Sequence, residues 1–229
     1  MRSLYGIFLM LVIIFYFSVC MAQDHQMGPL VGLNLASVDV DGTEEEISTS
    51  FRTGFAAGGL FYLALTPNIG LQFEPTFMQK GSKAEVEFTE DGDRIKMDQT
   101  LKSNYLDIPL LLKVSVGQGS AQPYLVAGAD IAFRVSDTKI KLDQVMVNGE
   151  DVTRLFSSEE LEDELKTKTA DFGLNIGAGI SFSIGTNRIF IERQYNLGLT
   201  NVNDEEDADQ VDVKTKGIQI KAGILFPIR

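Results

Sequence analysis

The sequence is poor in the side chains on which most catalytic and metal-binding sites depend. Among 229 residues there is one cysteine, Cys20, and one histidine, His25. One histidine is not enough for a histidine metal site or, without a nucleophile pattern around it, for a triad, and one cysteine cannot form an internal disulfide. The formal net charge of −12 argues against nucleic-acid binding, which needs a basic surface. The composition favours a non-enzymatic protein without a cofactor.

Long hydrophobic runs are also scarce, and the one present lies at the N-terminus. Arg2 precedes the apolar residues 4–19, and a Cys-Met-Ala sequence ends at Ala22. This order is typical of a cleaved signal peptide, residues 1–22, whereas a transmembrane helix needs about 20 apolar residues. Cleavage would leave a thiol-free chain suited to the oxidising bacterial envelope. We expect residues 23–229 to form one domain, since no linker or repeat divides them.

Beyond this segment, apolar and polar residues alternate at period two, the pattern of β-strands. Eight such segments are predicted, at residues 30–38, 51–65, 69–88, 105–116, 124–136, 171–184, 189–202 and 215–228. Short connections alternate with long ones. The long ones have formal charges of −5, −3, −4 and −4, at residues 39–49, 85–102, 137–168 and 203–216. Such alternation is typical of membrane barrels with tight periplasmic turns and longer external loops.

The two faces of the predicted strands differ in chemistry. One parity is nearly pure hydrocarbon, as in Leu106, Ile108, Leu110 and Leu112, whereas the other mixes glycine with charge. The apolar face would line the cavity of a soluble lipocalin-like barrel but meet lipid in a membrane barrel. Glycine favours the membrane barrel, because it weakens a solvent-facing strand yet makes room for long side chains inside a narrow eight-stranded lumen.

Acids and bases on the polar parity are equal in number, as enclosed charges require. We predict a structural charge network in the lumen formed by Arg52, Glu74, Lys80, Asp107, Lys113, Asp130, Arg134, Asp171, Glu192 and Lys221. A carboxylate pair such as Asp107 and Asp130 is also compatible with acid–base chemistry. The structural role is preferred, since nothing in the sequence indicates a substrate cleft.

Two kinds of segment between the strands have patterns of their own. Residues 157–168 begin with a Ser-x-x-Glu capping box and place two leucines at i,i+4, which predicts a helix. The acidic runs at 39–46 and 203–212 lack the ligand spacing of a calcium loop, so no metal site is predicted. We expect them to be solvated external loops at the lipopolysaccharide surface.

Several strand sequences resemble the PorT-type outer-membrane β-barrel family of Bacteroidetes-like bacteria. They are "GLNLAS", "GLQFEPTFMQKGSK", "NYLDIPLLLKV", "PYLVAGADIAF", "DFGLNIGAGISF" and "YNLGLTNV", and the most specific part is Tyr105, Ile108, Pro109 and Lys113. The resemblance implies an eight-stranded antiparallel barrel with a periplasmic N-terminus. Most members have no assigned biochemical activity. The namesake takes part in secretion, a role that fold alone does not transfer.

One position departs from the family pattern, which has arginine directly before the tyrosine of strand seven. Here Gln194 occupies that place and Arg193 comes one residue earlier. Strict alternation points Arg193 at lipid, which costs about 2–4 kcal/mol near mid-membrane. A β-bulge at these residues, or a position close to the periplasmic interface, would avoid that cost.

The last strand resembles the targeting signal that barrel-assembly machinery reads. Its pattern is carried by Lys221, Gly223, Phe226 and Ile228. We therefore expect this machinery to be a partner, together with outer-membrane lipid and lipopolysaccharide, while an envelope protein partner is unidentified.

Together these features predict an all-β, eight-stranded antiparallel transmembrane β-barrel, exported to the bacterial outer membrane. The expected function is non-enzymatic, with a side-chain-plugged lumen that serves envelope structure or protein interaction, secretion included. A small-solute channel and a soluble periplasmic lipocalin-like binder are the alternatives. Pro109 lacks an N–H and lies within a predicted strand, so we also expect a local break in the hydrogen-bond ladder there.

Overall fold

A computed structural model describes residues 25–41, 46–90, 92–117, 119–155, 162–165, 168–202 and 212–228. The predicted signal peptide, residues 1–22, lies outside these ranges, and its cleavage stays a prediction. None of the described residues forms a helix that is both long and apolar enough to cross a bilayer.

Within the described ranges the chain forms twelve strands and one 3₁₀ turn. The strands are β1 (Gln26–Asp41), β2 (Glu46–Ala64), β3 (Ile69–Phe73), β4 (Thr76–Glu90), β5 (Asp93–Ser115), β6 (Ala121–Arg134), β7 (Thr138–Val147), β8 (Glu150–Asp151), β9 (Glu162–Leu165), β10 (Ala170–Ile184), β11 (Asn187–Gly198) and β12 (Asp212–Pro227). The 3₁₀ turn is Thr153–Leu155.

The sheet closes on itself because β1 pairs antiparallel with both β2 and β12. The wall then runs from β2 to β3 and β4, which follow each other along one line, and on through β5, β6, β10 and β11 to β12. Counting β3 and β4 as one, the described wall has eight strand positions, here called staves. This confirms the predicted eight-stranded antiparallel barrel. Closure leaves no free edge in the wall, so backbone groups are satisfied without water.

The break predicted at Pro109 is confirmed, and together with Pro75, which also lacks an N–H, it divides the neighbouring stave into β3 and β4. Glu74 N–H donates to the Pro109 carbonyl at 3.2 Å, but Pro109 has no N–H to return the bond. The Thr76 hydroxyl donates to the Glu74 carbonyl instead, at 2.9 Å. The register is unchanged across the gap, from Phe73 opposite Leu110 to Thr76 opposite Asp107. A side chain therefore replaces the missing backbone donor.

The apolar parity faces outward and the polar parity faces the lumen. Val31, Leu125 and Ile176 are 63%, 62% and 64% exposed, whereas Glu74 and Asp107 are completely buried. This is the reverse of a lipocalin-like barrel, in which apolar side chains line the cavity, so that alternative is wrong. Hydrocarbon exposed all round a wall is stable only against lipid.

Outward phenylalanines lie toward both ends of the staves. Phe133 and Phe172 are near the external ends of β6 and β10, and Phe182 and Phe226 are near the periplasmic ends of β10 and β12. Membrane barrels carry such aromatic girdles where the apolar band meets the headgroups. The short turns at one end and the long segments at the other give the barrel one orientation.

Three segments expected to be long loops, residues 39–49, 85–102 and 137–168, are largely strand where the structure describes them. β1 and β2 extend into residues 39–49. Likewise, β4 and β5 extend into residues 85–102, where they form a hairpin. β7 pairs with this extended part of β5, so a sheet projects beyond the barrel. The alternation of residues 85–102 and the Asp91-Gly92 dipeptide are sequence signals of such a hairpin.

The helix predicted at residues 157–168 is wrong where it is described. Glu162–Leu165 form β9, which pairs with β7 from Thr138 to Lys141. Lys168 is not helical. The other predicted helical residues, 157–161 and 166–167, lie outside the described ranges. An exposed edge of β7 offered these residues backbone partners, and sheet pairing outweighed their helical propensity.

Arg193 faces outward without a bulge. The register of β11 is regular against both β10 and β12, with Arg193 opposite Ala178 and Ile220. The bulge alternative is therefore wrong, and Gln194 points into the lumen.

The outward orientation of the apolar parity predicts that Leu110→Arg will block assembly. Leu110 is 54% exposed on the wall, so arginine there would face hydrocarbon. Heat-modifiable migration of the protein from outer-membrane fractions measures assembly. Leu155→Arg is the matched control, because Leu155 is 81% exposed outside the barrel wall and should tolerate the change. Normal assembly of Leu110→Arg would contradict the orientation.

Because the Thr76 hydroxyl replaces the N–H that Pro109 lacks, we expect the stability effects of substitutions at Thr76 and Pro109 to be coupled. Thr76→Val alone should lower the free energy of unfolding by about 1–3 kcal/mol, because the buried Glu74 carbonyl loses its donor. In a Pro109→Ala background the new N–H can serve that carbonyl, so the loss should shrink by at least about 0.5 kcal/mol. Urea unfolding in lipid vesicles, followed by circular dichroism, measures both values. Thr53→Val, on the outer face, should show no coupling to Pro109.

Candidate functional site

The lumen contains two groups of buried polar side chains, one above the other along the barrel axis. The group nearer the periplasm, here called the glutamate cluster, consists of Gln72, Glu74, Glu192, Gln194 and Lys221. The group nearer the outside, here called the aspartate cluster, consists of Lys80, Asp107, Asp130, Asp171, Asn175, Asn196 and Thr215. Every member is less than 9% exposed.

The glutamate cluster joins opposite sides of the barrel. Lys221 of β12 forms an ion pair with Glu74, which lies between β3 and β4. Gln72 of β3 donates to Glu192 of β11 at 3.0 Å, and Gln194 of β11 donates to Glu74 at 3.2 Å. Because β3 and β11 are four staves apart, these hydrogen bonds cross the full width of the lumen.

Lys113 extends the glutamate cluster through aromatic rings. Its Nζ lies 3.5 Å from the centroid of the Tyr124 ring and 5.3 Å from that of Tyr62. A buried ammonium gains a favourable cation–π interaction from such rings. Gly179 makes room for this arrangement, since a Cβ there would overlap the Tyr124 ring.

The aspartate cluster is held mainly by amide and hydroxyl donors. Asn175 and Asn196 donate to the same Asp130 oxygen, Oδ1, at 2.7 and 2.9 Å. Thr215 donates to Asp171 Oδ2 at 2.7 Å, and Lys80 Nζ lies 3.8 Å from that oxygen. Lys80 is thus a central cation among aspartates, and its Nζ also lies 5.1 Å from the Tyr105 ring centroid.

Asp107 is buried beside this cluster, and neither carboxylate oxygen accepts a hydrogen bond from the described residues. Its neighbours across the sheet are Thr76 and Ala132, which places it between Lys80 and Asp130 along the inner wall. Glycine supplies space for these acids, because a Cβ at Gly173 would lie 2.6 Å from Asp130 Oδ1.

The ten residues of the predicted charge network therefore fall into three places. Eight are buried in the two clusters or next to them: Glu74, Lys80, Asp107, Lys113, Asp130, Asp171, Glu192 and Lys221. Arg52 and Arg134 are only half-buried, toward the external mouth. Arg52 donates to the Lys80 carbonyl at 3.1 Å, and Arg134 pairs with Asp137 at 3.0 Å.

The predicted network omitted the neutral side chains that carry most of the lumen hydrogen bonds. Gln72, Gln194, Asn175 and Asn196 each donate to a carboxylate. Their inward parity was visible in the sequence, but counting charges alone passes over neutral donors.

The residues of the predicted assembly signal lie on both faces of the last stave. Lys221 is buried in the lumen, Gly223 packs against the Phe190 ring, and Phe226 and Ile228 are 43% and 46% exposed on the outer face. The two apolar side chains lie at the periplasmic end of the wall.

The chemistry of the two clusters is that of a packed ionic core. No group of three or more acidic, histidine or cysteine side chains in the described ranges is arranged to hold a metal ion. The cavity beside Lys80 has a volume of about 20 Å³, roughly that of one water molecule, and is lined by residues such as Asn34, Ser37 and Thr215. There is no room at that point for an organic substrate.

Comparison with known proteins identifies a family and a set of similar folds. The model of the outer membrane protein beta-barrel domain family matches residues 21–204. No curated protein matches the sequence. Similar solved structures include the attachment invasion locus protein Ail of Yersinia pestis, with 16% identity and a TM-score of 0.41, covering 89% of this chain and 100% of that one.

Two further structures have similar coverage. OprG of Pseudomonas aeruginosa has 13% identity and a TM-score of 0.44, covering 91% of this chain and 97% of that one. The outer membrane protease OmpT of Escherichia coli has 8% identity and a TM-score of 0.44, covering 90% of this chain and 97% of that one. At these values the similarity carries no functional argument.

The Glu74–Lys221 ion pair predicts a strong asymmetry between single and double substitutions. Lys221→Met should lower the free energy of unfolding in vesicles by about 3–5 kcal/mol, because Glu74 would remain buried without its cation. The double variant Glu74→Gln, Lys221→Met should recover much of that loss. Lys102→Met, an exposed external lysine, is the control and should change stability by no more than about 0.5 kcal/mol. Equal losses in the single and double variants would contradict the pairing.

Proposed function

Because this chain belongs to the outer membrane protein beta-barrel domain family, we propose that it is a non-conducting, non-enzymatic barrel of the bacterial outer membrane that serves envelope structure or protein interaction. The observation that carries the proposal is the glutamate cluster. Its hydrogen bonds connect β3 with β11 directly across the lumen, so long side chains occupy the path that a solute would follow.

The burial of these side chains supports the same proposal. Gln72, Glu74 and Gln194 have no exposed surface, and Glu192 and Lys221 are 1% exposed. Charged groups in an open pore remain hydrated, whereas these have exchanged water for one another. A small-solute channel, the alternative function, would require this cluster to move as a unit.

The external sheet supports a role in interaction. β4 and β5 extend to Glu90 and Asp93, well beyond the wall, and β7 adds a third strand beside them. The ion pair between Lys96 and Glu85, at 2.7 Å, is on the surface of this hairpin. A rigid projecting sheet presents side chains at fixed positions to a partner, at lower entropic cost than a loose loop.

The proposal extends to the PorT-type group and to assembly. Tyr105, Pro109 and Lys113 of the resembling motif all point into the lumen, where Tyr105 contacts Lys80 and Lys113 lies against Tyr124. These contacts give the motif a structural role, which supports membership of that group. Secretion is one form of the proposed interaction role, and fold alone does not select it.

The partners proposed for the wall follow from its surface and its predicted export. The outward phenylalanines and aliphatic residues suit outer-membrane lipid and lipopolysaccharide. Phe226 and Ile228, apolar and outward at the periplasmic end of the last stave, suit recognition by barrel-assembly machinery.

Planar-bilayer recordings test the closed lumen. The wild-type barrel should show no stable, large conductance. The triple variant Glu74→Ala, Gln194→Ala, Lys221→Ala removes one acid and one base together with one of the two amides that bridge the lumen. It should conduct, because the net charge is kept while the bulk is lost. Heat-modifiable migration should first establish that the variant is folded. A stable open pore in the wild-type protein would overturn the proposal in favour of a channel.

A further inference from the structure

Arg193 lies at the middle of a membrane-spanning strand and faces away from the lumen. It is exposed, between the outward residues Ile191 and Tyr195 on β11. β11 runs from Asn187 to Gly198, so Arg193 is close to equidistant from its two ends. With a rise of about 3.3 Å per residue and a strand tilt of about 40°, each end is roughly 13–15 Å away along the membrane normal. Arg193 is therefore near the midplane, not at the periplasmic interface.

Nothing in the described part of the chain neutralises this guanidinium. Arg193 makes no hydrogen bond or ion pair there, and its neighbours across the sheet are Ala178 and Ile220. Lys216, the next outward cation, lies near the external end of β12 and is already paired with Asp39. A lipid-facing charge at mid-membrane is strongly unfavourable, and such residues are functional candidates for that reason.

A shallow apolar groove lies on the same outer face and is lined by Tyr195, the next outward residue after Arg193 on β11. Its volume is about 580 Å³, and its lining includes Ala127, Leu174, Ile176, Tyr195 and Leu197. Ala127 forms the floor because it lies between the larger side chains of Leu112 and Ile176 on the adjacent strands. The groove can therefore receive a side chain from another apolar surface.

We propose that Arg193 and this groove form a membrane-embedded docking surface for a second outer-membrane protein, one that presents an aspartate or glutamate on an otherwise apolar, lipid-facing surface. A carboxylate and an arginine form two parallel charge-assisted hydrogen bonds, and exclusion of water strengthens them. The apolar groove then packs the residues around the acid. This inference rests on the proposed function in protein interaction and locates it within the membrane.

A lipid phosphate is a poorer occupant. The headgroups lie roughly 13–15 Å from Arg193 along the normal, and an arginine side chain that snorkels reaches about 7 Å. Contact would require local thinning of the bilayer, whereas a carboxylate on a neighbouring protein can lie at the same depth.

A second copy of this chain is also a poorer occupant. In the described staves no aspartate or glutamate faces outward within the apolar band, as the buried positions of Glu74, Asp130 and Glu192 illustrate. A two-fold interface at this surface would bring two arginines together rather than an arginine and an acid.

Site-specific photocrosslinking in intact cells tests the proposal. A photoreactive residue at Leu197, in the groove, should give an adduct with one other outer-membrane protein, and mass spectrometry should map it to a lipid-facing segment that contains Asp or Glu. The same residue at Phe55, which is 48% exposed on β2 at the opposite side of the wall, should not give this adduct. Arg193→Leu should reduce the adduct at least about tenfold, while Arg193→Lys should retain part of it.

Two further measurements make the result decisive. Arg193→Glu should abolish the adduct, and exchanging the mapped acid of the partner for arginine should restore it. In pure lipid vesicles Arg193→Leu should raise the folded-to-unfolded ratio at least about tenfold, since the lipid-facing charge is gone. That gain would also show that loss of the adduct is not loss of folding.

The opposing outcomes are equally specific. An Arg193-dependent adduct of twice the chain's own mass would show self-association instead, and adducts with lipid alone would show headgroup binding; either overturns the proposal. So would an adduct that Arg193→Leu leaves unchanged. The failure of the docking surface is distinguishable from that of the proposed function, because the bilayer recordings report the closed lumen whether or not a partner binds.

Discussion

Polar side chains that point into this barrel find their partners inside it, and Asp107 is the exception among the described lumen carboxylates. The lumen is too narrow for bulk water, and an unpaired charge in such an enclosure is prohibitively costly. Glu74 therefore takes Lys221 from another stave and amide hydrogens from Gln72 and Gln194. The cross-links that result hold opposite sides of the wall at a fixed separation. A filled lumen and a rigid wall thus have the same physical cause.

The same constraint governs the backbone. A closed wall in lipid has no water to satisfy a free carbonyl, so a proline in a stave requires a local substitute. Pro109 removes one donor, and the Thr76 hydroxyl supplies another to the Glu74 carbonyl. The substitute comes from the residue two positions beyond the unsatisfied carbonyl, which leaves the register intact. Pro109 is therefore tolerated in this closed barrel because an inward hydroxyl lies within reach.

Arg193 is an exception to this pairing of charges within the barrel. Every other charge within the described apolar band is inside the lumen and has neighbours there, whereas Arg193 has lipid around it. Gln194, the next residue, is part of the glutamate cluster, so turning Arg193 inward would remove a donor from Glu74. The cluster inside the barrel thereby fixes the direction of the charge outside it. A partner within the membrane would relieve a cost that the fold itself cannot avoid.

The sequence by itself determined the staves, their two faces and the outward direction of the hydrocarbon. These follow from period-two alternation and from glycines such as Gly173 and Gly179, whose missing side chains make room for Asp130 and Tyr124. The pairing of the lumen charges was decided only by the tertiary structure. Glu74 and Lys221 are 147 residues apart, and their contact depends on stave order and register. Residues 162–165 show the same limit. Their helical signal is local, but the edge of β7 beside them exists only in the folded chain, and pairing with it makes them a strand.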